Sequence, residues 1–300
     1  MPLHTYLHST SMLTGVVGAY FLSTFSVQAA DAAVKAPYAP PPPLPAVDGV
    51  NWKGELFGGV LHEDGFGGVK GAVTIPLATR YGLQLDGIAG GATGDFFGQV
   101  GAHLFWRDPA VGLLGLYASY THLDRIGGVH ASHFAVEGEY YNGPWTLQGI
   151  VGIESGSNKT ALISPTVFET YDIKTRFFDQ INLHYYYNEN ARVTVGHRYL
   201  GGKHALALGG EWAIPLAPRN MASFSLEGRI GEDDYKGVWA GLKVYFGQRD
   251  KPLIARHRQD DPTIWMGIPT ILNSRGTSPN AVCPPGEVFD PEDGCVPDVT

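Results

Sequence analysis

The sequence lacks three features that mark other classes of protein. After residue 30 no apolar run approaches the roughly 20 residues that a membrane-spanning helix needs. Charged residues make up only 17% of the 300 residues, and the net charge of -8 gives no support for the basic surface that nucleic-acid binding requires. Only two cysteines are present, both close to the C-terminus. These absences argue against a helical membrane protein and against a nucleic-acid partner.

Glycine and aromatic residues, in contrast, are abundant. The chain has 40 glycines, 15 tyrosines, 14 phenylalanines and 6 tryptophans, and its mean hydropathy is -0.07. Aromatic residues favour strands, whereas glycines are typical of turns. The composition therefore indicates short strands and turns rather than amphipathic helices.

The first fifty residues predict export from the cytoplasm. Met12–Val27 is an apolar stretch of signal-peptide length, and Val27-Gln28-Ala29 has small residues at the two positions that signal peptidase reads. We expect residues 1–29 to be a signal peptide; the alternative is an N-terminal membrane anchor. Residues 30–50 are then a periplasmic linker, whose proline-rich part, Ala36–Pro45, is typical of an extended spacer.

Residues 51–247 alternate apolar and polar side chains in segments of about ten residues. In the last segment Val238, Leu242 and Phe246 share one face, whereas Lys243 and Tyr245 share the other. A period of two places these sets on opposite faces of a strand. The segments are longer than most soluble strands and close to the length of a tilted membrane strand. Trp and Tyr lie near their ends, where the interfacial girdles of membrane barrels form.

Twelve such segments are present. They begin near Trp52, Gly68, Tyr81, Asp95, Gly112, His130, Trp145, Phe177, Arg192, His204, Ala222 and Lys236. An even number returns both ends of the barrel to the same side of the membrane. The sequence therefore predicts an all-β fold, a transmembrane antiparallel up-and-down β-barrel of about 12 strands, with a mostly irregular tail at residues 248–300.

The connections between the segments predict the orientation of this barrel. Four short turns fall on one side: Asn142–Pro144, Tyr187–Asn190, Pro76–Arg80 and Pro215–Arg219. The longest connection, Ser155–Arg176, falls on the other side and has room to hide a hairpin. Short periplasmic turns and longer outward loops are the usual asymmetry of such barrels, so we expect the N- and C-termini in the periplasm.

Strand parity also predicts which polar side chains face the lumen. The charged members of this set are Lys53, Glu55, Lys70, Asp86, Glu137, Glu139, Arg192, Arg198, Glu211, Glu227, Arg229 and Lys243. The uncharged members are Gln84, Gln99, His103, Gln148, Asn182 and His184. Charges inside a barrel must be hydrated or paired. The charged set has equal numbers of acids and bases, which is compatible with a wet, weakly selective pore and equally with a cross-linked, closed interior.

Three short motifs resemble a known family. They are Ala30–Pro37 (ADAAVKAP) followed by prolines, Gly241–Gly247 (GLKVYFG) and Asp250–Pro262 (DKPLIARHRQDDP). In these motifs and in its layout the chain resembles the alphaproteobacterial, rhizobial-type, porin-like outer-membrane β-barrel proteins. The resemblance implies that the last strand carries the assembly signal, with Gly241, Val244 and Phe246 at its positions, and that the barrel-assembly machinery is a partner.

The tail contains both cysteines. Cys283 and Cys295 flank a turn-rich loop, and in an oxidising periplasm they are expected to form a disulfide that adds about 2–3 kcal/mol to local stability. The segment Arg249–Arg258 is basic, so it is either a solvated stretch or a contact for an anionic periplasmic partner. The histidines show no spacing that is typical of metal ligands, and we expect no metal and no cofactor.

One pair of residues offers a catalytic alternative. His130 and Ser132 share the lipid-facing side of a strand, and a serine needs such a neighbouring base to become a nucleophile. The pattern resembles the His-x-Ser pair of outer-membrane phospholipase A and lipid A deacylase, although His133 stands where those families have Asn.

The leading hypothesis is a porin-like barrel in the outer membrane of a Gram-negative cell, without enzyme activity, that allows passive diffusion of small hydrophilic solutes. A structural or surface-interaction barrel with an occluded lumen is the alternative. An outer-membrane lipid hydrolase using His130 and Ser132, and a soluble secreted sandwich, are further hypotheses. Outer-membrane lipid and lipopolysaccharide are the expected surroundings of the barrel.

Overall fold

The computed structural model describes residues 43–164, 167–217, 219–247, 250–279, 287–290 and 294–297. The predicted signal peptide and the first part of the predicted linker lie outside these residues. Among the described residues, no helix is long and apolar enough to cross a membrane.

Twelve strands form the wall of the fold. They are β1 (Asn51–Leu61), β2 (Asp64–Ala78), β3 (Tyr81–Ala92), β4 (Asp95–Asp108), β5 (Gly112–Leu123), β6 (Val129–Asn142), β7 (Trp145–Gly156), β10 (Arg176–Asn188), β11 (Ala191–Leu200), β12 (Lys203–Ala217), β13 (Asn220–Gly231) and β14 (Lys236–Phe246). The remaining elements are β8 (Asn158–Ser164), β9 (Val167–Asp172), α1 (Leu253–Gln259), α2 (Ile268–Asn273), β15 (Arg275–Pro279), β16 (Glu287–Asp290) and β17 (Gly294–Pro297).

The twelve wall strands close into an antiparallel barrel. Each strand pairs with its neighbour along the chain, except that β7 pairs with β10, and β1 pairs with β14 to complete the ring. At this seam Trp52 lies opposite Phe246 and Leu56 opposite Leu242. The predicted fold class and strand number are therefore confirmed.

The alternation along each strand separates an apolar exterior from a polar interior. Leu56 and Leu242 point outward with 61% and 63% of their surface exposed, whereas Lys53 and Glu55 of the same seam are buried. One end of the barrel carries an outward row of large aromatic side chains. It consists of Trp52, Tyr81, Trp106, Tyr140, Trp145, Tyr185, Tyr187, Trp212 and Phe246.

Two of the predicted short turns differ in detail from the expectation. Pro76 and Pro215 lie inside β2 and β12, and each is followed by a register shift against the next strand. Proline lacks the N–H that a strand ladder needs, so it is accommodated at an irregularity of this kind. The turns themselves are consequently tighter than the sequence indicates.

The long connection after β7 does contain a hairpin, and this hairpin is not part of the barrel. β8 and β9 pair with each other, and β15 of the tail pairs with the other edge of β9, which makes a three-stranded sheet. The barrel therefore keeps twelve strands.

The tail is the main difference from the sequence prediction. Residues 250–279 contain two short helices and a strand joined by irregular stretches, and they run through the barrel. The N–H of Leu253 in α1 donates a hydrogen bond to Asn190 Oδ1 in the β10–β11 turn at one end, and Arg275 pairs with Tyr171 of β9 at the other. Side chains alone fill the interior of a barrel of about eight strands, whereas twelve strands leave a lumen that this segment occupies.

The last residues of the linker are also packed rather than extended in solvent. Ala46 and Val47 are buried against Phe105 and Leu113, and the Ala46 N–H donates to the carbonyl of Thr79 in a short turn. The linker therefore meets the short-turn end of the barrel, while β15 lies at the end with the long loop. The described parts of the linker and the tail therefore meet opposite ends of the barrel, because the tail crosses the lumen, and the periplasmic location of the two termini stays a prediction.

Candidate functional site: the occupied lumen

The polar side chains that strand parity assigns to the lumen lie in the barrel interior. The structure divides them between two opposite walls, separated by the tail. One wall belongs to β10–β14 with β1 and β2, and the other belongs to β3–β7. We refer to them as the cationic wall and the docking wall.

Glu211 is the centre of the first network on the cationic wall. Arg192 and Lys243 each place a nitrogen 3.0 Å from its carboxylate, and Ser223 and Tyr245 donate hydroxyl hydrogen bonds of 2.7 and 2.8 Å. Each of these partners comes from a different strand, apart from Lys243 and Tyr245, which share β14. The carboxylate is thus neutralised by two cations and fixed by two hydroxyls.

Two further carboxylates organise the remaining cations of this wall. Glu55 lies 3.0 Å from Lys70 across the β1–β2 pair. Glu227 accepts from Arg198 at 3.2 Å and from Arg229 at 2.8 Å. The sequence predicts that these residues share a lumen, but their partners depend on strand register and remain hidden in the sequence.

The docking wall holds a buried histidine between two acids. His103 Nε2 lies 2.7 Å from Asp86 Oδ2, and its Nδ1 lies 2.9 Å from Glu137 Oε1. The indole N–H of Trp265, from the tail, donates to Glu137 at 3.2 Å. Asp86 and Glu137 are therefore both engaged by His103, and Glu137 is also engaged by the tail.

The middle of the tail is bound through its backbone. Gln99 donates to the carbonyl of Trp265 at 2.6 Å and accepts from the N–H of Gly267 at 2.7 Å. Tyr117 also donates to the Trp265 carbonyl, at 3.2 Å, and Lys53 donates to the carbonyl of Pro262 at 2.5 Å. An extended segment without internal ladder bonds needs such external partners when it is buried.

Two glycines allow the tail to approach the wall closely. A Cβ atom at Gly267 would lie 2.3 Å from Thr121 Oγ1. Gly201, whose φ is +61°, lies under α2, where an added Cβ would lie 2.5 Å from the Cβ of Asn273. The docking of α2 therefore depends on the absence of side chains at both positions.

The helix α2 is anchored by a second polar group. Thr270 Oγ1 donates to Glu154 Oε2 at 2.9 Å, and the N–H of Gly201 donates to the other oxygen of Glu154 at 2.9 Å. Asn273 donates to the carbonyl of Leu200 at 2.6 Å, and His62 Nε2 lies 2.5 Å from Asn273 Oδ1. Burial lowers the pKa of His62 and so favours its neutral form.

Beyond the lumen, charged residues fasten β15 to the outer loops. Arg275 places Nε 2.6 Å from Glu169 on β9 and one terminal nitrogen 2.6 Å from Asp64 of β2. Arg125 also lies 2.6 Å from Glu169, and this bond raises the pKa of its guanidinium. Burial raises the pKa of the neighbouring Tyr171 to about 12.

At the short-turn end, α1 contacts the interior of the barrel. His257 lies 2.8 Å from the hydroxyl of Tyr186 and 3.0 Å from that of Tyr245. Arg258 donates to the carbonyl of Trp145 at 2.7 Å, and Arg256 is buried. These parts of the predicted basic segment Arg249–Arg258 are engaged within the fold; an anionic partner for the segment remains a prediction.

A polar cavity remains beside the tail. Its volume is about 160 Å³, and it lies between the tail and the cationic wall. Its lining includes Lys70, Arg192, Arg198, Glu227 and Lys243. The segment from Pro262 to Met266 forms its other side.

Arg107 is a buried residue that the sequence analysis does not single out. Its side chain is fully buried, and its guanidinium nitrogens have no hydrogen-bond partner among the described residues. Glu139 lies 3.9 Å away, and the guanidinium stacks over the ring of Phe105 at 4.9 Å. Its neighbours Asp108 and Pro109 give the sequence a turn-like pattern that obscured this position.

His130 and Ser132 do face outward, as parity predicts. However, His130 Nδ1 forms its hydrogen bond with Ser157 at 2.8 Å, and its ring stacks on Tyr120 at 5.5 Å. This contact explains the orientation of His130 without a catalytic role.

The remaining predicted sites have different outcomes. No group of three or more metal-ligating side chains occurs within the described parts of the chain. Cys283 lies outside the described residues, so its pairing with Cys295 stays a prediction. In the predicted assembly signal Gly241 packs between Glu55 and Ser225 inside the barrel, and Val244 and Phe246 occupy the opposite face of β14.

Comparison with known proteins yields structural similarity only. No family model matches the sequence, and no curated protein matches it. The KdgM porin in complex with disordered oligogalacturonate is 9% identical, with a TM-score of 0.43, and the match covers 66% of this chain and 99% of that chain. An outer membrane channel from Pseudomonas putida F1 is 12% identical, with a TM-score of 0.46, over 66% of this chain and 95% of that one. The translocator domain of the autotransporter NalP from Neisseria meningitidis is 11% identical, with a TM-score of 0.41, over 66% and 87%.

Proposed function

We propose that this protein is a porin-like outer-membrane barrel whose lumen is held closed by its own C-terminal segment. The exposed apolar exterior and the aromatic row at one end support insertion in a bilayer, because a closed barrel satisfies its backbone hydrogen bonds internally. The short turns then face the periplasm and the β8–β9 hairpin faces the cell surface. We propose membership of the rhizobial-type family on the motifs described above.

The path of residues 250–279 is the observation that supports a closed lumen. This segment enters beside the β10–β11 turn, is hydrogen-bonded at mid-barrel by Gln99, and ends paired with β9 beyond the opposite rim. A channel of this width is open only when the segment moves. We therefore assign passive diffusion of small hydrophilic solutes to the state in which the tail has moved out of the lumen.

A disulfide between the tail and the wall tests this proposal. A Cβ at position 267 would lie 3.3 Å from the Cβ of Thr121, a few tenths of an ångström below the usual disulfide range. We therefore suggest Thr121→Cys with Gly267→Cys, in a chain that also carries Cys283→Ser and Cys295→Ser. In planar bilayers under applied voltage, the oxidised protein should show no current above the lipid background, and reduction should restore stepwise openings.

A second lock provides an independent control. Thr170 and Gly276 are directly opposite each other in the β9–β15 pair, so Thr170→Cys with Gly276→Cys fixes the tail at the outer rim. Equal currents above the lipid background in the oxidised and the reduced protein would show that the tail does not close the channel.

The second candidate function is a structural or surface-interaction barrel whose tail never leaves. The contacts of Arg275 with Glu169 and Asp64, which fasten the end of the tail, favour it. The same experiment separates the two functions: absence of current in both the oxidised and the reduced protein would support the permanently closed barrel.

A further inference from the structure

The lumen-facing acids and bases are equal in number in the sequence, but they are distributed unevenly between the two walls of the barrel. Of the six lumen acids, Asp86 and Glu137 belong to the docking wall, where His103 bridges them and Trp265 covers Glu137. Glu139 is bound by Tyr141 at 2.5 Å and by Gln148 at 2.7 Å. These three carboxylates are therefore largely occupied by neighbours on their own side of the barrel.

The cationic wall has the opposite excess. Six cations line the cavity there: Lys53, Lys70, Arg192, Arg198, Arg229 and Lys243. Only three carboxylates, Glu55, Glu211 and Glu227, face them on the same wall. A polar space beside the tail is thus bordered by more positive than negative groups, within an interior where solvent screening is reduced.

One of these cations has unused hydrogen-bonding capacity. Arg198 is 3% exposed, and its Nε–H has no hydrogen-bond partner among the described residues. The neighbouring Asn182 is also buried and leaves its Oδ1 without a donor. A buried donor that lacks a partner costs free energy, which a ligand with acceptor oxygens recovers.

The groups on the other sides of the cavity do not cancel this excess. Asp261 of the tail lies 3.9 Å from Lys53, which is itself a cation of the lining. Glu139 of the docking wall accepts a hydrogen bond from Gln148 at 2.7 Å. The approach from the tail side is consequently not dominated by free negative charge.

We propose that this cavity is a binding site for a small anionic solute, of the size of a short dicarboxylate. A volume of 160 Å³ holds about ten water molecules, at the roughly 10–15 Å³ that each requires, and excludes an oligomeric substrate. Carboxylate oxygens suit guanidinium and ammonium donors, which form charge-assisted hydrogen bonds with them. The proposal concerns the barrel with its tail in place, so it does not depend on the current that the channel carries.

Isothermal titration of the full-length protein in detergent tests the site, with malonate as the probe and uncharged malonamide as the matched ligand. Saturable heat with malonate and none with malonamide is expected. Lys70→Gln and Arg198→Gln should each raise the dissociation constant for malonate about tenfold or more, because each removes a charged donor. Lys236→Gln, which changes an exposed lysine outside the lumen, should leave it unchanged.

A variant that is expected to bind malonate more tightly distinguishes a change at the site from a loss of binding through misfolding. Glu227→Gln removes a carboxylate that competes for Arg198 and Arg229, so it should tighten malonate binding severalfold. Each variant must run as a folded barrel, faster unheated than boiled on a gel, and Lys70→Gln serves if Arg198→Gln does not fold. Equal heats for malonate and malonamide, or weaker binding in Glu227→Gln, would overturn the proposal.

Discussion

At the residue scale, Trp265 is the side chain on which the docking of the tail depends most. Its indole packs in a buried cluster with Ile150, Phe178 and Leu200, its N–H donates to Glu137, and its carbonyl accepts from the docking wall. Trp265 therefore contributes both apolar packing and hydrogen bonds to the docking of the tail. Substitutions at this position can separate the two contributions.

Trp265→Ala should weaken docking by about 3–5 kcal/mol, because it removes a buried aromatic side chain and leaves a cavity. Trp265→Phe keeps most of the packing and loses only the bond to Glu137, so about 1–3 kcal/mol is expected. Hydrogen exchange of residues 260–275 in the detergent-solubilised protein measures the effect. Trp212→Phe, on the exposed exterior, is the control; comparable protection in Trp265→Ala and wild type would contradict this role.

The residue scale also marks the limit of prediction from sequence. Parity identified the interior side chains because alternation is a local property of a strand. The partners of Glu211 come from β11, β13 and β14, and their meeting depends on the register of the whole ring. His103 of β4 was predicted to face the lumen, but one of its carboxylate partners, Asp86, lies on the adjacent strand β3, and the other, Glu137, lies two strands away on β6.

At the scale of elements, β15 is the least shielded element within residues 250–279 of the tail. Four of its five residues are exposed, and its attachment to β9 is reinforced by Arg275 with Glu169 and Asp64. Glu169 is fully buried, so it depends on its arginine partners for neutralisation.

Arg275→Met should release β15 from β9 while the barrel stays intact. Arg125 still pairs with Glu169, which limits the expected loss to about 1–3 kcal/mol. Hydrogen exchange of the residue 275–278 amides should accelerate by about 5-fold to 100-fold, since each 1.4 kcal/mol corresponds to about a factor of ten. Lys174→Met, an exposed residue near the same sheet, is the matched control, and unchanged exchange in Arg275→Met would refute the anchor.

The elements were predicted unevenly, for physical reasons. The barrel strands start within four residues of the positions read from alternation. The tail has no period of two, because it is surrounded by the wall on all sides and its apolar residues, such as Ile268, Ile271 and Leu272, need not alternate. The absence of alternation therefore marked a segment that is enclosed by the barrel and only partly regular.

At the scale of the whole molecule, the path of the tail determines where the chain ends. β15 lies at the long-loop end, and the lumen behind it is filled by residues 250–274. Beside the tail, the described residues leave a cavity of only about 160 Å³, which is too small for a second pass of the chain. We therefore expect the C-terminus on the cell surface, in contrast to the periplasmic location expected from the even strand number.

An epitope tag after Thr300 should accordingly be labelled by antibody on intact cells. The same tag inserted at Gly143, in a short turn at the other end, should be labelled only after the outer membrane is permeabilised. Labelling of the C-terminal tag only in permeabilised cells would mean that the tail does not cross the lumen in the cell.

The threaded tail also has a consequence for assembly. Residues beyond β14 are the last to be synthesised, and β1 must pair with β14 before the ring is complete. The hydrophilic end of the chain either lies in the gap between these two strands before they join or is drawn through the finished ring. In both cases the barrel must first let its own C-terminal segment pass from one side of the membrane to the other.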